Sequence, residues 1–496
     1  MKSFKVILIY LLGFSGALSA AERLDEDMAK ALIVRQLLSL IEGHDNLVKA
    51  QQLPAYQLCT YNDRNTAQKL SRHLEGLLIQ QKPFNIRNIQ QRQDIQTCHA
   101  AFINQPKDDD LDWFLANQAT INTLFIINGE TQAQKGFHIG LYLNNQKTFD
   151  FELNPSVLIT SNFTPRKELL QFGKIVGADF KQKINLLRTL INYTEWSADK
   201  HQFAQHKDFQ LCTLANATLA TFIDHFADGK TFKGKKLANR TIQEASEAES
   251  CDAIVINQMA NQDAVTLLSQ RAEQRVLLIG NNQALGERGV HYNISPPNKT
   301  QRRFEINLIA FEQTGHSPHF ELFNSASVVE TDYPELSRTL NNIVQMTEWP
   351  GEADNQADNE AQHSPIDFCV FDDPVAQENL QLFLADRKTL VSGTSSKPIT
   401  ARLVSEVAAL AQCDAFMVSA DPPSQVAEFL EKQTLHPLLL IARNDKQVLE
   451  PYHYRLLMAP KRISFELNLE QLKAGGFKPA KALLDLGKVI RQGVQQ

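Results

Sequence analysis

Apolar runs and helical periods alternate along the middle of the chain, and together they predict an α/β domain. Over residues 178–330 the pattern predicts a helix at 182–195, a strand FQLCTL, a helix at 217–227 and a strand near KLANRTI. The strands CDAIVIN and RVLLIGN follow, with a helix near 262–272 between them, and then the strands HYNI and RRFEIN and two closing helices. Apolar runs between helices are typical of a mostly parallel sheet covered by helices on both faces, and the last two strands predict a terminal antiparallel hairpin.

The same pattern is written three times along the chain. The tetrapeptides FELN, FEIN and FELN begin at Phe151, Phe304 and Phe465, so that the first two are 153 residues apart. The pair Glu-Trp recurs at the same offset, at Trp196 and Trp349, and three similar tails follow the tetrapeptides: PRKELLQFGKIV, PHFELFNSASVV and PAKALLDLGKVI. Shared offsets of this kind indicate internal repeats, so we predict three tandem α/β domains.

We place the domains at residues 22–177, 178–330 and 331–496, each the size of an ordinary single domain. The first domain is the most divergent, because Gly43 stands where the other two have tryptophan. An acidic stretch, GEADNQADNEAQHS, follows Trp349 in the third domain. We interpret it as a solvated loop because the repeat continues on both sides of it.

The six cysteines follow the same repeat. They form three pairs with spacings of 39, 39 and 44 residues: Cys59 and Cys98, Cys212 and Cys251, Cys369 and Cys413. The repeat predicts a disulfide within each pair, between strands that would be neighbours in a sheet of order 2-1-3. Buried free thiols are the alternative, and a zinc site is disfavoured because no Cys-x-x-Cys spacing occurs.

The N-terminal segment and the charge balance indicate an exported protein. Residues 1–21 contain Lys2 and Lys5, then an apolar run over 6–12, then small residues, which is the layout of a secretory signal peptide; a buried N-terminal helix is the alternative. No later stretch reaches the roughly 18 apolar residues of a transmembrane helix. The net charge of −6, without a basic run, argues against a nucleic-acid partner.

The motif search favours no enzyme class. Gly229-Lys230-Thr231 resembles the end of a phosphate-binding loop, but Asp224 stands where that loop needs its first glycine. His316 and His319 have no counterparts in the other repeats, which argues against a metal site. We therefore expect no cofactor and no catalytic residue.

Several polar and aromatic residues are candidates for partner or ligand binding. Asp63, Asn216 and Asp373 stand four residues after the first cysteine of each repeat, at the carboxyl edge of the sheet, where they would either cap a helix or contact a ligand. Trp196 and Trp349 would plug the core or anchor a partner. Arg288, beside a glycine, is a turn residue or an anion contact.

The repeated tetrapeptide itself has a structural interpretation. The second and fourth residues of each tetrapeptide, a glutamate and an asparagine, mark the repeat. They are Glu152 and Asn154, Glu305 and Asn307, Glu466 and Asn468. Strand alternation directs the glutamate away from the core, where a neighbouring strand or the Arg288 turn would be its partner, and the asparagine would cap the next helix. A capping box is expected at Asn468. A hydrolase using the glutamates is disfavoured because no second titratable residue accompanies them.

The chain resembles the YfiR family of bacterial periplasmic proteins. The second domain carries the resemblance best, through NYTEW, FQLCTL, CDAIVIN, GERGVHYNI and RRFEIN. The third domain is similar through MTEWP, FCVFDDP, CDAFMVS and FELNLEQLKAGGFKP. The first domain keeps only Lys135-Gly136 of the Arg-Gly turn. The resemblance covers nearly all of the chain after residue 21, as three divergent copies.

The resemblance implies a non-enzymatic regulator in the periplasm of a Gram-negative bacterium. Members of this family bind the periplasmic sensor domain of a membrane-anchored diguanylate cyclase and restrain it, which lowers cyclic-di-GMP signalling and biofilm formation. The alternative is a periplasmic protein that binds a small molecule at the carboxyl edges of its sheets. Neither the partner's identity nor the oligomeric state follows from the sequence.

Overall fold

The computed structural model describes most of the chain. The described residues are 26–43, 53–79, 81–104, 107–118, 120–196, 206–257, 262–282, 285–294, 303–329, 331–350, 365–386, 398–418, 426, 428–429, 437–443, 452–459 and 461–490. The predicted signal peptide and the acidic stretch after Pro350 lie outside these residues.

The first repeat alternates strands and helices as predicted. Its strands are β1 (Ile41–Glu42), β2 (Tyr56–Tyr61), β3 (Leu78–Ile79), β4 (Lys82–Ile89), β5 (Ala100–Ile103), β6 (Leu124–Asn128), β7 (Ile139–Leu143), β8 (Phe149–Leu153), β9 (Thr164–Pro165) and β10 (Lys174–Ile175). Its helices are α1 (Glu26–Ser39), α2 (Arg64–Leu74), α3 (Asp108–Asn117), α4 (Pro155–Thr160) and α5 (Lys167–Phe172), with a 3-10 helix at Arg92–Thr97.

The second repeat has the same order of strands. Its strands are β11 (Thr194–Glu195), β12 (Phe209–Leu214), β13 (Thr231–Phe232), β14 (Lys235–Ile242), β15 (Ala253–Ile256), β16 (Leu277–Gly280), β17 (Tyr292–Asn293), β18 (Phe304–Ile306), β19 (Ser317–Pro318) and β20 (Ala326–Val328). Its helices are α6 (Ala178–Asn192), α7 (Ala217–Ala227), α8 (Gln262–Ser269), α9 (Arg271–Gln274) and α10 (Leu308–Thr314), with 3-10 helices at Ala245–Ser250 and Phe320–Asn324.

The third repeat follows the second closely. Its strands are β21 (Thr347–Glu348), β22 (Ile366–Phe371), β23 (Ile399–Val404), β24 (Ala415–Val418), β25 (Leu439–Arg443), β26 (Tyr454–Ala459), β27 (Arg462–Asn468), β28 (Lys478–Pro479) and β29 (Lys488–Ile490). Its helices among the described residues are α11 (Tyr333–Gln345), α12 (Pro374–Asp386), α13 (Leu469–Ala474) and α14 (Lys481–Leu486), with a 3-10 helix at Val407–Gln412.

Each repeat builds one mixed, mostly parallel sheet. The strand orders are β10-β8-β7-β6-β5-β2-β4-β3, β13-β14-β12-β15-β16-β17-β18-β20 and β23-β22-β24-β25-β26-β27-β29. The strand before each tetrapeptide pairs antiparallel with the tetrapeptide strand, which confirms the predicted terminal hairpin. The α/β fold class with three related sheets is therefore confirmed.

The central strands are buried on both faces. In the third repeat, Phe368 and Val370 of β22 enter one apolar cluster, whereas Cys369 and Phe371 enter another on the opposite side of the sheet. Successive strand residues point to opposite faces, so one strand supplies two cores, each covered by helices. This is why residues 368–371 of β22, FCVF, are a continuous apolar run rather than an alternating one.

All six cysteines lie in the three predicted disulfides. In each of the three bonds the Cα atoms are 5.9 Å apart. The first cysteine lies in β2, β12 or β22 and the second just before the neighbouring parallel strand β5, β15 or β24. The predicted neighbourhood in a 2-1-3 order is confirmed, because that adjacency brings the two cysteines of a repeat together.

A second small sheet closes each repeat and explains the missing tryptophan. Strands β1 and β9, β11 and β19, and β21 and β28 pair antiparallel. Gly43 follows β1 with a φ of 103°, and a Cβ atom there would lie 2.2 Å from the carbonyl oxygen of Asn162. The turn before β9 therefore occupies the space that a side chain would need at this position.

By the compactness of its contacts the chain forms two units. One comprises Met1–Leu186 with Asn216–Thr231, and the other comprises Leu187–Ala215 with Phe232–Gln496. Helix α7, which belongs to the second repeat by sequence, is thus part of the unit that contains the first repeat. The residue boundaries of the three domains stay a prediction.

Candidate functional site

Each tetrapeptide ends in an asparagine that caps the following helix. The side-chain oxygens accept hydrogen bonds from backbone N–H groups three residues on: Asn154 from Val157 (3.3 Å), Asn307 from Ala310 (3.1 Å) and Asn468 from Gln471 (3.2 Å). The predicted N-caps are confirmed. The capping box predicted at Asn468 is wrong in its second half, because the backbone N–H of Asn468 donates to the carbonyl of His453 across the hairpin.

The glutamate of the tetrapeptide is buried in two repeats, which corrects the expectation of an outward-facing residue. Glu152 is 0% exposed and Glu466 is 2% exposed. Lys174 Nζ lies 2.7 Å from Glu152, while Lys488 Nζ lies 3.0 Å from Glu466, which also pairs with Arg455. The expectation was wrong because β10 and β29 pair with the tetrapeptide strands and bring a lysine over each carboxylate.

In the second repeat an amide takes the place of the cation. Glu305 is half-buried and accepts a hydrogen bond of 2.7 Å from Nδ2 of Asn293 on the neighbouring strand. Its partner is therefore the hairpin strand rather than the Arg288 turn. Across the repeats these carboxylates are held by lysine, arginine or asparagine, which is the environment of a structural charge.

The polar residues at the carboxyl edges are helix caps. Asp63 accepts from the backbone N–H of Thr66 at 2.9 Å, and Asn216 accepts from that of Leu219 at 2.8 Å. Burial tends to raise the pKa of Asp63, but hydrogen bonds from Thr66 and Asn104 outweigh it, so its pKa is lowered. These oxygens are engaged within the protein.

The third repeat closes its carboxyl edge with an ion pair. Asp373 accepts from the backbone N–H of Ala376 at 2.9 Å, as a cap. Its other carboxylate oxygen lies 2.6 Å from Nη1 of Arg443, whose Nη2 donates to the hydroxyl of Thr331. The guanidinium of Arg443 also lies 5.5 Å from the ring centre of Tyr333. Arginine thus fills the space where a ligand would bind in an open sheet.

A polar cleft lies beside the carboxyl edge of the first repeat. It has a volume of about 350 Å³ and is lined by Glu26, Asp27, Lys30, Asn65, Thr66, Lys69, Leu70 and Asn104. On its wall, Nζ of Lys69 and the carboxylate of Asp27 form an ion pair of 2.9 Å. Both signs of charge are therefore present, which suits a small polar molecule carrying both charges.

The two tryptophans pack against aromatic rings of their own repeats. Trp196 is half-buried, with its ring 5.8 Å from Phe209 and 5.0 Å from His316. Trp349 contacts Phe477 at 5.4 Å and borders the core of the third repeat. The core-plug interpretation accounts for both side chains. His316 is a packing partner of Trp196.

Arg288 contacts a carboxylate of this chain. Its Nη2 lies 2.6 Å from Glu378 on α12, and the Arg288 side chain is 14% exposed. The neighbouring Gly289 has a φ of 104°, and a Cβ atom there would lie 2.0 Å from Nη1 of Arg271. That second arginine, which sequence reasoning missed, donates to the carbonyl of Gly289 at 2.9 Å. The turn glycine therefore makes room for a buried guanidinium.

The segment after each FELN or FEIN helix presents one homologous surface, which we call the tail face. It is defined by Pro165 and Leu170 in the first repeat, Pro318 and Phe323 in the second, and Pro479 and Leu484 in the third. Leu170 is only 2% exposed, whereas Phe323 is 38% and Leu484 is 36% exposed. One surface of the repeat is thus covered in the first copy and exposed in the other two.

The tail face of the second repeat is aromatic. Phe320 is 72% exposed, and Tyr193 is 42% exposed. His319 joins them, with its ring 4.5 Å from Phe320 and 5.6 Å from Tyr193. Exposed aromatic clusters are typical of protein-binding surfaces. Sequence reasoning missed this cluster, although three aromatic or imidazole side chains within PHFELF were a signal for it.

The described residues contain neither a metal-binding cluster nor a membrane-spanning helix. No group of three or more His, Cys, Asp and Glu side chains in these ranges is arranged to hold a metal ion. No helix in them is long and apolar enough to cross a bilayer.

A comparison with protein-family models matches the chain three times. The YfiR/HmsC-like family model matches residues 27–174, 180–327 and 336–488. The chain belongs to the YfiR/HmsC-like family. A comparison with curated proteins finds no match. Three YfiR-like domains thus stand in tandem, as the repeats predicted, and three buried disulfides are typical of extracytoplasmic proteins.

Each YfiR-like repeat also places a histidine beneath the tetrapeptide hairpin, a feature that sequence reasoning missed. Nδ1 accepts a hydrogen bond from a strand N–H group in all three: His138 from Phe125 (3.3 Å), His291 from Leu278 (3.0 Å) and His453 from Leu440 (3.0 Å). An Nδ1 atom that accepts is unprotonated, so these imidazoles are held neutral. The recurrence of FHIG, VHYN and YHYR was the sequence signal.

The histidine of the third YfiR-like repeat predicts a loss of stability in acid. Burial lowers the pKa of His453 to about 4, whereas an unfolded histidine has a pKa of about 6.5. Between these values only the unfolded chain binds the proton, so the free energy of unfolding falls as the pH falls. For this residue we expect a loss of about 2 kcal/mol between pH 7.5 and pH 5, measured by urea unfolding.

The matched comparison is His453→Gln against His73→Gln. The first variant should reduce the acid-induced loss by about 2 kcal/mol, whereas the second, on helix α2, should keep the wild-type pH dependence. Equal pH dependence in His453→Gln and the wild type would contradict the assignment of this loss to His453.

Proposed function

We propose that the chain is a non-enzymatic regulatory protein of the periplasm. In this proposal it binds the periplasmic sensor domain of a membrane-anchored diguanylate cyclase and lowers cyclic-di-GMP signalling. Membership in the YfiR/HmsC-like family supports the proposal. The observation that carries it is the exposed aromatic tail face of the second repeat, because a regulator that works by contact needs such a surface.

The chemistry of the buried polar groups agrees with a binding role. The repeated carboxylates are held by Lys174, Lys488 and Asn293. Acid–base catalysis normally uses a carboxyl group that reaches a substrate. The proposed role of the tetrapeptides is therefore to fix the hairpin and the helix from which the tail face follows.

The test measures cyclic-di-GMP in a bacterial host that contains the cognate membrane-anchored cyclase. Exporting the full-length protein should lower cyclic-di-GMP, and the double variant Phe320→Asp/Phe323→Asp should restore it, since a buried aromatic anchor replaced by a charge costs at least about tenfold in affinity. Leu78→Asp is the matched control, because Leu78 is 52% exposed on the first repeat but outside the tail face. Unchanged cyclic-di-GMP with the wild-type protein would overturn the proposal.

A second function is favoured by the cleft of about 350 Å³ in the first repeat. With Lys30 and Lys69 beside Glu26 and Asp27, it suits a zwitterionic molecule such as an amino acid. Such a ligand should raise the melting temperature of the full-length protein, and Lys69→Met should remove the rise. A screen of amino acids that leaves the melting temperature unchanged would count against this function.

A further inference from the structure

Helix α7 lies on the tail face of the first repeat. Within the unit that contains them, the hydroxyls of Thr164 and Thr218 are 2.7 Å apart, and Nδ2 of Asn216 lies 3.4 Å from the carbonyl oxygen of Ile159. Lys167 Nζ lies 3.3 Å from Asp224. A helix of the next repeat therefore contacts the segment in which Leu170 is buried.

The sequence of α7 is suited to two apolar contacts. ATLATFIDHFA buries residues around most of its circumference: Thr218, Leu219, Ala220, Phe222, Ile223 and Ala227. The homologous helix α2, RNTAQKLSRHL, buries only one face: Thr66, Ala67, Leu70 and Leu74. The position of Phe222 is taken by Lys69 in α2. Phe222 packs on Phe180 of α6, with ring centres 5.6 Å apart. Thr218, one turn before Phe222, contacts the tail face at Thr164. An amphipathic helix has thus become buried on a second side.

The third repeat repeats the chemistry of the covered face. Lys481 and Leu484 stand at the positions of Lys167 and Leu170. Leu484 is 36% exposed, whereas Leu170 is 2% exposed. A face that pairs a lysine with an exposed leucine matches a helix that presents apolar side chains and an aspartate, as α7 does.

A second copy of the chain is a poor occupant for the exposed face. The helix homologous to α7 in the first repeat, α2, has Ser71 at the position of Asp224 and presents Arg64 and Arg72. These charges would meet Lys481, and like charges at an interface oppose association. A polar outer helix on the first repeat is typical of an end that stops an array from extending.

We propose that α7 is a built-in occupant of the first tail face, so that the chain offers two tail faces, in the second and third repeats, to amphipathic partner helices of the chemistry of α7. This inference deepens the proposed function and rests on it for the identity of the partner. The inference predicts two binding sites per chain. It predicts that the partner segment is a helix with an apolar face, and that the helix bound at the third repeat has an acidic residue.

The experiment titrates a synthetic peptide of residues 215–229 into the full-length protein by calorimetry. We expect the wild-type chain to bind two peptides, and the single variants Phe323→Asp and Leu484→Asp to bind one peptide each. The double variant should bind the peptide at least about tenfold more weakly. The control variant Leu78→Asp should still bind two peptides. A peptide with Asp224→Lys should lose about tenfold at the third repeat, beside Lys481, and little at the second, where Phe320 takes that position.

A locked chain tests the occupancy of the first tail face. Thr164→Cys/Thr218→Cys would join α7 to that face by a disulfide, and the locked chain should still bind two peptides. Three peptides on the wild type but two on the locked chain would overturn the inference, as would no binding or concentration-dependent self-association in sedimentation. The titration uses no cyclase. If the peptide does not bind but the protein still lowers cyclic-di-GMP in the host, this inference alone is rejected. If the peptide binds as expected but the protein leaves cyclic-di-GMP unchanged, the proposed function alone is rejected.

Discussion

Asp332→Ala should lower the free energy of unfolding by about 3–5 kcal/mol. Asp332 is 0% exposed and lies 2.9 Å from Nη2 of Arg271, which is 1% exposed. It also caps α11 through the N–H of Glu335 at 2.8 Å and accepts from Asn307 at 2.7 Å. Removing the carboxylate leaves a buried guanidinium without its counter-charge, which is the costly way to break a buried pair.

The measurement is urea unfolding followed by tryptophan fluorescence. Glu378→Ala is the matched control, because it removes the 53% exposed partner of Arg288 and should cost less than about 1 kcal/mol. Asp332→Asn should fall between them, since its oxygen still caps the helix but carries no charge. An Asp332→Ala variant as stable as Glu378→Ala would show that Arg271 finds another counter-charge.

Replacing both cysteines of any one disulfide by alanine should lower stability by about 4 kcal/mol. The bonds close loops of 39, 39 and 44 residues. In the chain-entropy model the loop length enters as a logarithm, so the three double variants should agree within about 0.3 kcal/mol.

The experiment compares Cys59→Ala/Cys98→Ala with the equivalent pairs Cys212/Cys251 and Cys369/Cys413 by denaturant unfolding. Equal losses of unfolding free energy in the three double variants would indicate that the disulfides act by restricting the unfolded chain, because the three loops are nearly equal in length. A variant that unfolds at the wild-type midpoint would contradict the prediction for that repeat, and a loss confined to one repeat would indicate local strain or packing instead.

Interactions that span few residues could be predicted well from the sequence. The caps by Asn154, Asn307 and Asn468 depend only on a strand end followed by a helix, and the structure has all three. The capping box at Asn468 failed because its backbone N–H is used by the hairpin partner His453, a contact that local spacing does not contain. Local rules hold until a distant strand competes for the same group.

The buried histidines show a signal that was present but not used. His138 and His291 are 153 residues apart, the offset of the first two cysteine pairs, and His453 stands 12 residues before its tetrapeptide, where the other two stand 13 before theirs. A lone histidine in an apolar strand carries little information, whereas the same histidine in three copies indicates a fixed structural role. Its acceptor bond to a neighbouring strand then explains why the residue is histidine and not another aromatic.

The sequence by itself determined the three-fold repeat, the α/β class, the family resemblance and the pairing of the cysteines. These follow from spacing, because homologous units share offsets and a repeated pair can only close within its unit. The tertiary structure alone decided that Glu152 and Glu466 are buried beneath lysines, and that α7 covers the tail face of the first repeat. Both depend on which distant segments come to lie beside each other, and residue spacing does not encode those contacts.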